Sequence, residues 1–231
     1  MRNNLFKILG LVGLALFLSC AAYADGTTTM EFTGVNGANN GIYYVSPYYG
    51  VMNYGTSSAQ PVVLFCDDIN NEVTGNQVWT ANVTSMASGN FSNTRYGNGS
   101  INLNLGTTNP QVLYEEAAWL VTQFASHPGD YVSLQYALWN LMSPNNPKAG
   151  ALSYEGSDGI PASQWLAWAE ADYGQIIPEL ANFEIITNVG PVAYTGQVQE
   201  FIVQTPEPSS LALLVAGMLA LMLLVIRRGR A

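Results

Sequence analysis

Apolar and polar positions alternate along the first third of this chain. "TMEFTGV", "GIYYVS", "YYGVMNY", "PVVLFC" and "QVWTANV" are rich in aromatic and β-branched residues, and clusters of Gly, Asn and Pro such as "NGANNG" separate them. That pattern predicts strands joined by turns. From about Ser85 to Asn109 the composition turns to Ser, Asn and Gly, which predicts a long loop or weak hairpin. The period then lengthens to that of a helix. In "PQVLYEEAAWLVTQFA", Leu113, Ala117, Leu120 and Phe124 fall on one face, with Asn109 as N-cap and Pro110 as the first helical residue; His127-Pro128-Gly129 ends it. A second helix, "DYVSLQYALWNLM", is expected to be capped by Asp130 and to stop before Pro144, with Leu134, Leu138 and Leu141 along one side. A third, "PASQWLAWAEADY", follows Asp158, and beyond Pro178 the chain returns to strand-like runs, "NFEIITNV" and "VAYTGQVQEFIVQT". Strands, then helices, then strands, with no internal repeat, make α+β the natural class.

The two ends have a different texture. Residues 1–24 combine Arg2 and Lys7, an apolar run from Ile8 to Leu18 and the small-x-small site Ala22-Tyr23-Ala24, which reads as a signal peptide cut before Asp25. A lipoprotein reading through Cys20 fits less well, because Phe17 stands where such sites want Leu. At the other end Leu211 to Ile226 is an unbroken apolar run followed at once by Arg227, Arg228 and Arg230. With help from flanking serines and snorkelling arginines such a run just crosses a hydrocarbon core of about 30 Å. The positive-inside rule then puts residues 25–205 outside. Pro206-Glu207-Pro208, a short span and a terminal arginine cluster, in that order, closely resemble the PEP-CTERM sorting signal of Gram-negative bacteria (206–231). The resemblance implies processing by an exosortase in the inner membrane and delivery to the cell surface or exopolysaccharide matrix. A GPI signal would end without the basic cluster.

Charge narrows the partners. The chain carries a net −9, and residues 25–205 hold every acidic residue except Glu207 against only Arg95 and Lys148. Nucleic acid and anionic lipid surfaces would repel such a domain. Sparse charge with abundant Tyr, Gly and Asn suits a folded extracellular domain better than a disordered stalk.

Enzyme chemistry finds little to work with, and no enzyme activity, cofactor or metal is expected. No Gly-x-Ser-x-Gly occurs, and His127 is the only histidine. Glu115 and Glu116 are adjacent on a helix, so they point about 100° apart and read as a solvated edge. The run Asp67, Asp68, Asn70, Asn71, Glu72 offers oxygen ligands of the kind calcium takes, but Val73 stands where an EF-hand loop needs glycine; a strand-to-turn acidic cluster is the ordinary reading. Tyr43, Tyr44, Tyr48 and Tyr49 would be half core and half surface at period two, the exposed half able to stack on sugars.

Cysteine carries the remaining signal. With the leader removed, Cys66 in "VVLFCDDINNE" has no partner for a disulfide in an oxidising compartment. Downstream, Leu134-Gln135-Tyr136-Ala137-Leu138-Trp139 resembles the Thr-Gln-x-Ala-hydrophobic-Trp signature of the thioester domains of bacterial surface adhesins, with Leu134 in place of the threonine. Phe65-Cys66 resembles that family's aromatic-Cys block, with Asp67 where a hydrophobic residue is expected. The resemblance implies a β-rich barrel or sandwich with an inserted helical segment, and a Cys66–Gln135 thioester that partner amines or hydroxyls could open to leave a covalent link. Trp139, one turn beyond Gln135, would shield the bond. Thr122-Gln123-Phe124-Ala125 is a rival donor that lacks the tryptophan. Asp67 and Asp68 would raise a nearby thiol's pKa. A covalent adhesin and a non-covalent structural or carbohydrate-binding matrix protein are therefore the two readings.

Overall fold

The computed structural model describes residues 25–97, 109–144, 146–190 and 198–205, together with Gly217. The expected signal peptide and sorting signal, including the 211–226 span, otherwise lie outside the described residues. Among the described residues no helix is long and apolar enough to cross a membrane. Residues 24–205 form one compact unit.

Six strands close into an antiparallel barrel. They are β1 (Gly26–Val35), β2 (Tyr48–Met52), β3 (Gln60–Cys66), β4 (Val78–Ser85), β5 (Phe183–Asn188) and β6 (Phe201–Gln204), in the spatial order β1-β2-β3-β6-β5-β4 and back to β1. The barrel resolves the choice between barrel and sandwich, and the helices are inserted between β4 and β5. Alternation sets which side chains turn inward: Thr28, Met30 and Phe32 on β1, Tyr48 and Met52 on β2, Trp79 and Ala81 on β4. Inside, Tyr48 meets Phe32 and Phe201 edge-on, with ring centroids 5.8 and 6.2 Å apart. Gly50 is required where β2 turns inward between them, because a Cβ there would lie 2.8 Å from Leu64 Cδ1 and 2.9 Å from the Glu31 carbonyl oxygen.

β5 does not alternate; Phe183 to Thr187 are all buried. Besides its sheet neighbours it packs against the short 3-10 turn Met86–Ser88 and the 3-10 residues that lead into it. The helical insertion comprises α1 (Pro110–Ser126), α2 (Tyr131–Met142) and α3 (Ala162–Asp172), followed by a 3-10 stretch, Tyr173–Asn182. Asn109 caps α1 as expected, its side chain accepting from the Gln111 N–H.

Three expectations fail. "GIYYVS" is not a strand; only an isolated bridge joins Asn39 and Tyr44. Asp130 precedes α2 but does not cap it, since its Oδ1 accepts from the Asp158 N–H instead. Glu115 and Glu116 are buried rather than solvated, because α1 is enclosed by α2, α3 and the 3-10 stretch. Burial, with Glu170 and Glu115 nearby, pushes the Glu116 carboxyl up to about 7.

Candidate functional site

One end of the barrel is where β1, β3 and β5 finish and β2, β4 and β6 begin. Cys66 is the last residue of β3 there, opposite Phe201 and wholly buried. Helix α2 lies over this end, and its apolar periodicity turns Gln135 and Trp139, one turn apart, toward Cys66.

The Gln135 carboxamide is held at both ends. Its Nε2 donates to the Cys66 carbonyl at 2.7 Å, and its Oε1 accepts from the Ser46 N–H at 3.0 Å. Ser46 also holds the cysteine, its Oγ accepting from the Cys66 N–H at 2.8 Å. The thiol itself donates to the Asp68 carbonyl and accepts from the Trp139 indole N–H, each at 3.4 Å. Burial, reinforced by the charges of Asp68 and Asp67, raises the Cys66 thiol far above its ordinary range, although the Trp139 N–H opposes this. A resting free thiol here is neutral.

The structure thus brings Cys66, Gln135 and Trp139 together. It does not bring Gln123 to them: that side chain bonds Thr122 Oγ1 and the Trp119 carbonyl on its own helix. Ser46 was missed from the sequence, and nothing there marks it, because its contribution to Gln135 is a backbone N–H.

Behind Cys66 the acidic run turns inward, with Asp67 and Asp68 wholly buried. Asp68 is paired with Arg95 Nε at 2.8 Å and accepts from Asn71 Nδ2 and the Asn70 N–H. Glu200, also fully buried, accepts from the Arg95 N–H at 2.7 Å, from Tyr114 Oη at 2.7 Å and from Thr187 Oγ1. Asp67 sits beside these two acids, and burial together with Glu200 and Asp68 raises it well above the carboxylate range, which favours its protonated form. One buried arginine thus faces three buried acids, and protonating Asp67 relieves the imbalance. Glu72 instead lines a cavity of about 490 Å³, with Tyr43, Tyr44, Tyr48 and Trp139 among its other walls. Trp139 is shared between this cavity and the Cys66 sulfur. Tyr48 is buried and Tyr49 exposed, as alternation along β2 requires, while Tyr43 is half-buried and Tyr44 exposed outside any strand.

No known protein family, curated protein or solved structure matches this chain. The sorting-signal residues Pro206, Glu207, Pro208, Arg227, Arg228 and Arg230 lie outside the described residues.

Proposed function

We propose that this is an exported, exosortase-sorted surface or matrix protein whose α+β barrel resembles a thioester domain and acts as a covalent adhesin. The observation that carries the reading is the two-ended grip on the Gln135 carboxamide, from the Cys66 carbonyl and the Ser46 N–H. In the bond-forming step Cys66 Sγ adds to Gln135 Cδ, the thiol proton goes to the amide nitrogen, the C–N bond breaks and ammonia leaves. The Ser46 N–H is placed on the oxygen that becomes negative in the tetrahedral intermediate. A partner amine or hydroxyl then adds to the same carbon, sulfur departs as the thiol, and the partner stays joined to Gln135. The Trp139 N–H stabilises the departing sulfur, and the cavity that Trp139 lines offers the partner's route.

Intact mass tests this. The mature protein should weigh one ammonia less than its sequence, and the deficit should vanish in Cys66→Ser and in Gln135→Ala. Methylamine should free the thiol and leave a methylamide on Gln135. Full sequence mass in the untreated protein would sink the covalent reading.

The exposed Tyr44 and Tyr49 favour the second reading, a non-covalent matrix component that stacks on sugars. Retention on matrix polymer that survives Cys66→Ser but weakens in the Tyr44→Ala/Tyr49→Ala double variant would select it.

A further inference from the structure

The corner between α1 and α2 carries a second cluster, which the chemistry above does not use. His127 ends α1, its ring edge-on to Trp165 at 5.0 Å and partly exposed. Its Nδ1 lies 4.0 Å from Asp130 Oδ2 and 3.7 Å from Asp158 Oδ2, and the three ligand atoms fall within 4.8 Å of one another. Asp130 is completely buried, yet its Oδ2 has no hydrogen-bond donor. Buried carboxylate oxygens are normally satisfied. Its other oxygen accepts from the Asp158 N–H at 3.2 Å. Gly156 lets the loop come this close, since a Cβ there would lie 1.8 Å from Asp130 Oδ1. An orphaned oxygen therefore points at an imidazole nitrogen too far away to bond it, with a second carboxylate on the solvent side.

The geometry points to a divalent-cation site formed by His127 Nδ1, Asp130 Oδ2 and Asp158 Oδ2, with zinc the best-suited ion. One imidazole nitrogen and two carboxylate oxygens, with a position left for water, make a zinc-type ligand set, whereas calcium wants about six to eight oxygens. Bonds of about 2.0–2.2 Å need the ligand atoms closer together than they stand. The Asp158 carboxylate, 57% exposed, and the partly exposed His127 ring are free to supply that movement toward the fixed Asp130. The bound ion clips the end of α1, the start of α2 and the loop before α3 to one another. It steadies the helix that carries Gln135, but the site stands whether or not a thioester forms.

The test uses the full-length chain, purified in detergent, stripped with a chelator and titrated with zinc chloride in a calorimeter. One zinc per chain is expected, bound much more tightly than calcium, together with a higher melting temperature. Cobalt should give the visible absorption of a four-coordinate site. His127→Gln, Asp130→Asn and Asp158→Asn should each weaken binding by at least about tenfold. Asp158→Asn alters only an exposed carboxylate, so it reports on binding even if the buried Asp130 variant unfolds. No saturable zinc binding, or binding indifferent to His127→Gln and Asp158→Asn, would overturn the proposal and leave an ordinary polar cluster at the helix corner.

Discussion

The carboxamide nitrogen of Gln135 lies 2.7 Å from the carbonyl oxygen of Cys66, although 69 positions separate the two residues. The acidic turn, β4 and α1 lie between them in the chain, and α2 brings the two together across the end of the barrel. A polar side chain so placed and wholly buried is costly unless fully bonded, and Gln135 is bonded at both ends.

Trp139 has two separable parts, a ring that covers and an N–H that bonds sulfur. If the thioester forms, Trp139→Phe keeps the cover and loses the bond. Opening by methylamine should then slow by about tenfold, the worth of one hydrogen bond of roughly 1–1.5 kcal/mol. Trp139→Ala loses both, and should shed the ammonia deficit by spontaneous hydrolysis. Time-resolved intact mass reads both rates; equal behaviour of the two variants would refute the division of roles.

The buried acids differ in what they leave behind when neutralised. Burial and the neighbouring acids favour the protonated form of Asp67, so Asp67→Asn should cost no more than about 1 kcal/mol. Asp68→Asn strips Arg95 of its carboxylate partner in the interior and should cost about 3 kcal/mol or more. Urea unfolding compares them directly, and comparable losses would mean Asp67 is ionised after all.

Stability should fall as pH rises. Glu116 has an ordinary value of 4.5 and a folded value of about 7, so between the two the folded chain holds more protons than the unfolded one. Its contribution is complete below about 4.5 and is lost as pH climbs through about 7. Asp67, Glu184 and Glu200 are displaced in the same direction by burial. The domain should therefore melt higher at pH 5 than at pH 8. Glu116→Gln should flatten that slope by about 1–3 kcal/mol, at roughly 1.4 kcal/mol per pH unit of displacement. A melting temperature that rises with pH in this window would contradict the assignment.

Sorting makes a separate demand. In a host that has an exosortase, changing Pro206 and Glu207 to alanine should strand the protein at the inner membrane, as fractionation would show. A variant that distributes like the unmodified protein would reduce residues 206–231 to an anchor.

Much of the barrel was legible because its strands alternate or end in recognisable turns. "GIYYVS" misled because Asn36, Asn39 and Asn40 accept hydrogen bonds from nearby backbone N–H groups, which then have no need of a ladder. Glu115 and Glu116 misled because a helix enclosed on several sides has no solvated edge for its charges to mark. Cys66 stood out as the lone cysteine of residues 25–205, and Gln135 and Trp139 through the resemblance of residues 134–139 to the thioester signature. Ser46 could not be picked out, and neither could the grouping of Asp158 with His127 and Asp130, which depends on how the loop before α3 returns to the helix corner.

The closing strand of the barrel has a mechanical consequence. β6 lies between β3 and β5 and runs directly on to Thr205, so a pull between Thr205 and a partner held at Gln135, over the opposite end of the barrel, would act along the strand rather than across it. Its ladder bonds to both neighbours share the load in shear instead of opening one by one, and the first to feel it on the β3 side are those of Val203 and Phe201, the latter facing Cys66. Tension delivered at Thr205 would thus reach the Cys66 carbonyl that holds Gln135 within one short strand. Single-molecule pulling between the C-terminal side and a handle attached at position 135 should give one high-force rupture, and a staircase of small ones would mean that the strand peels.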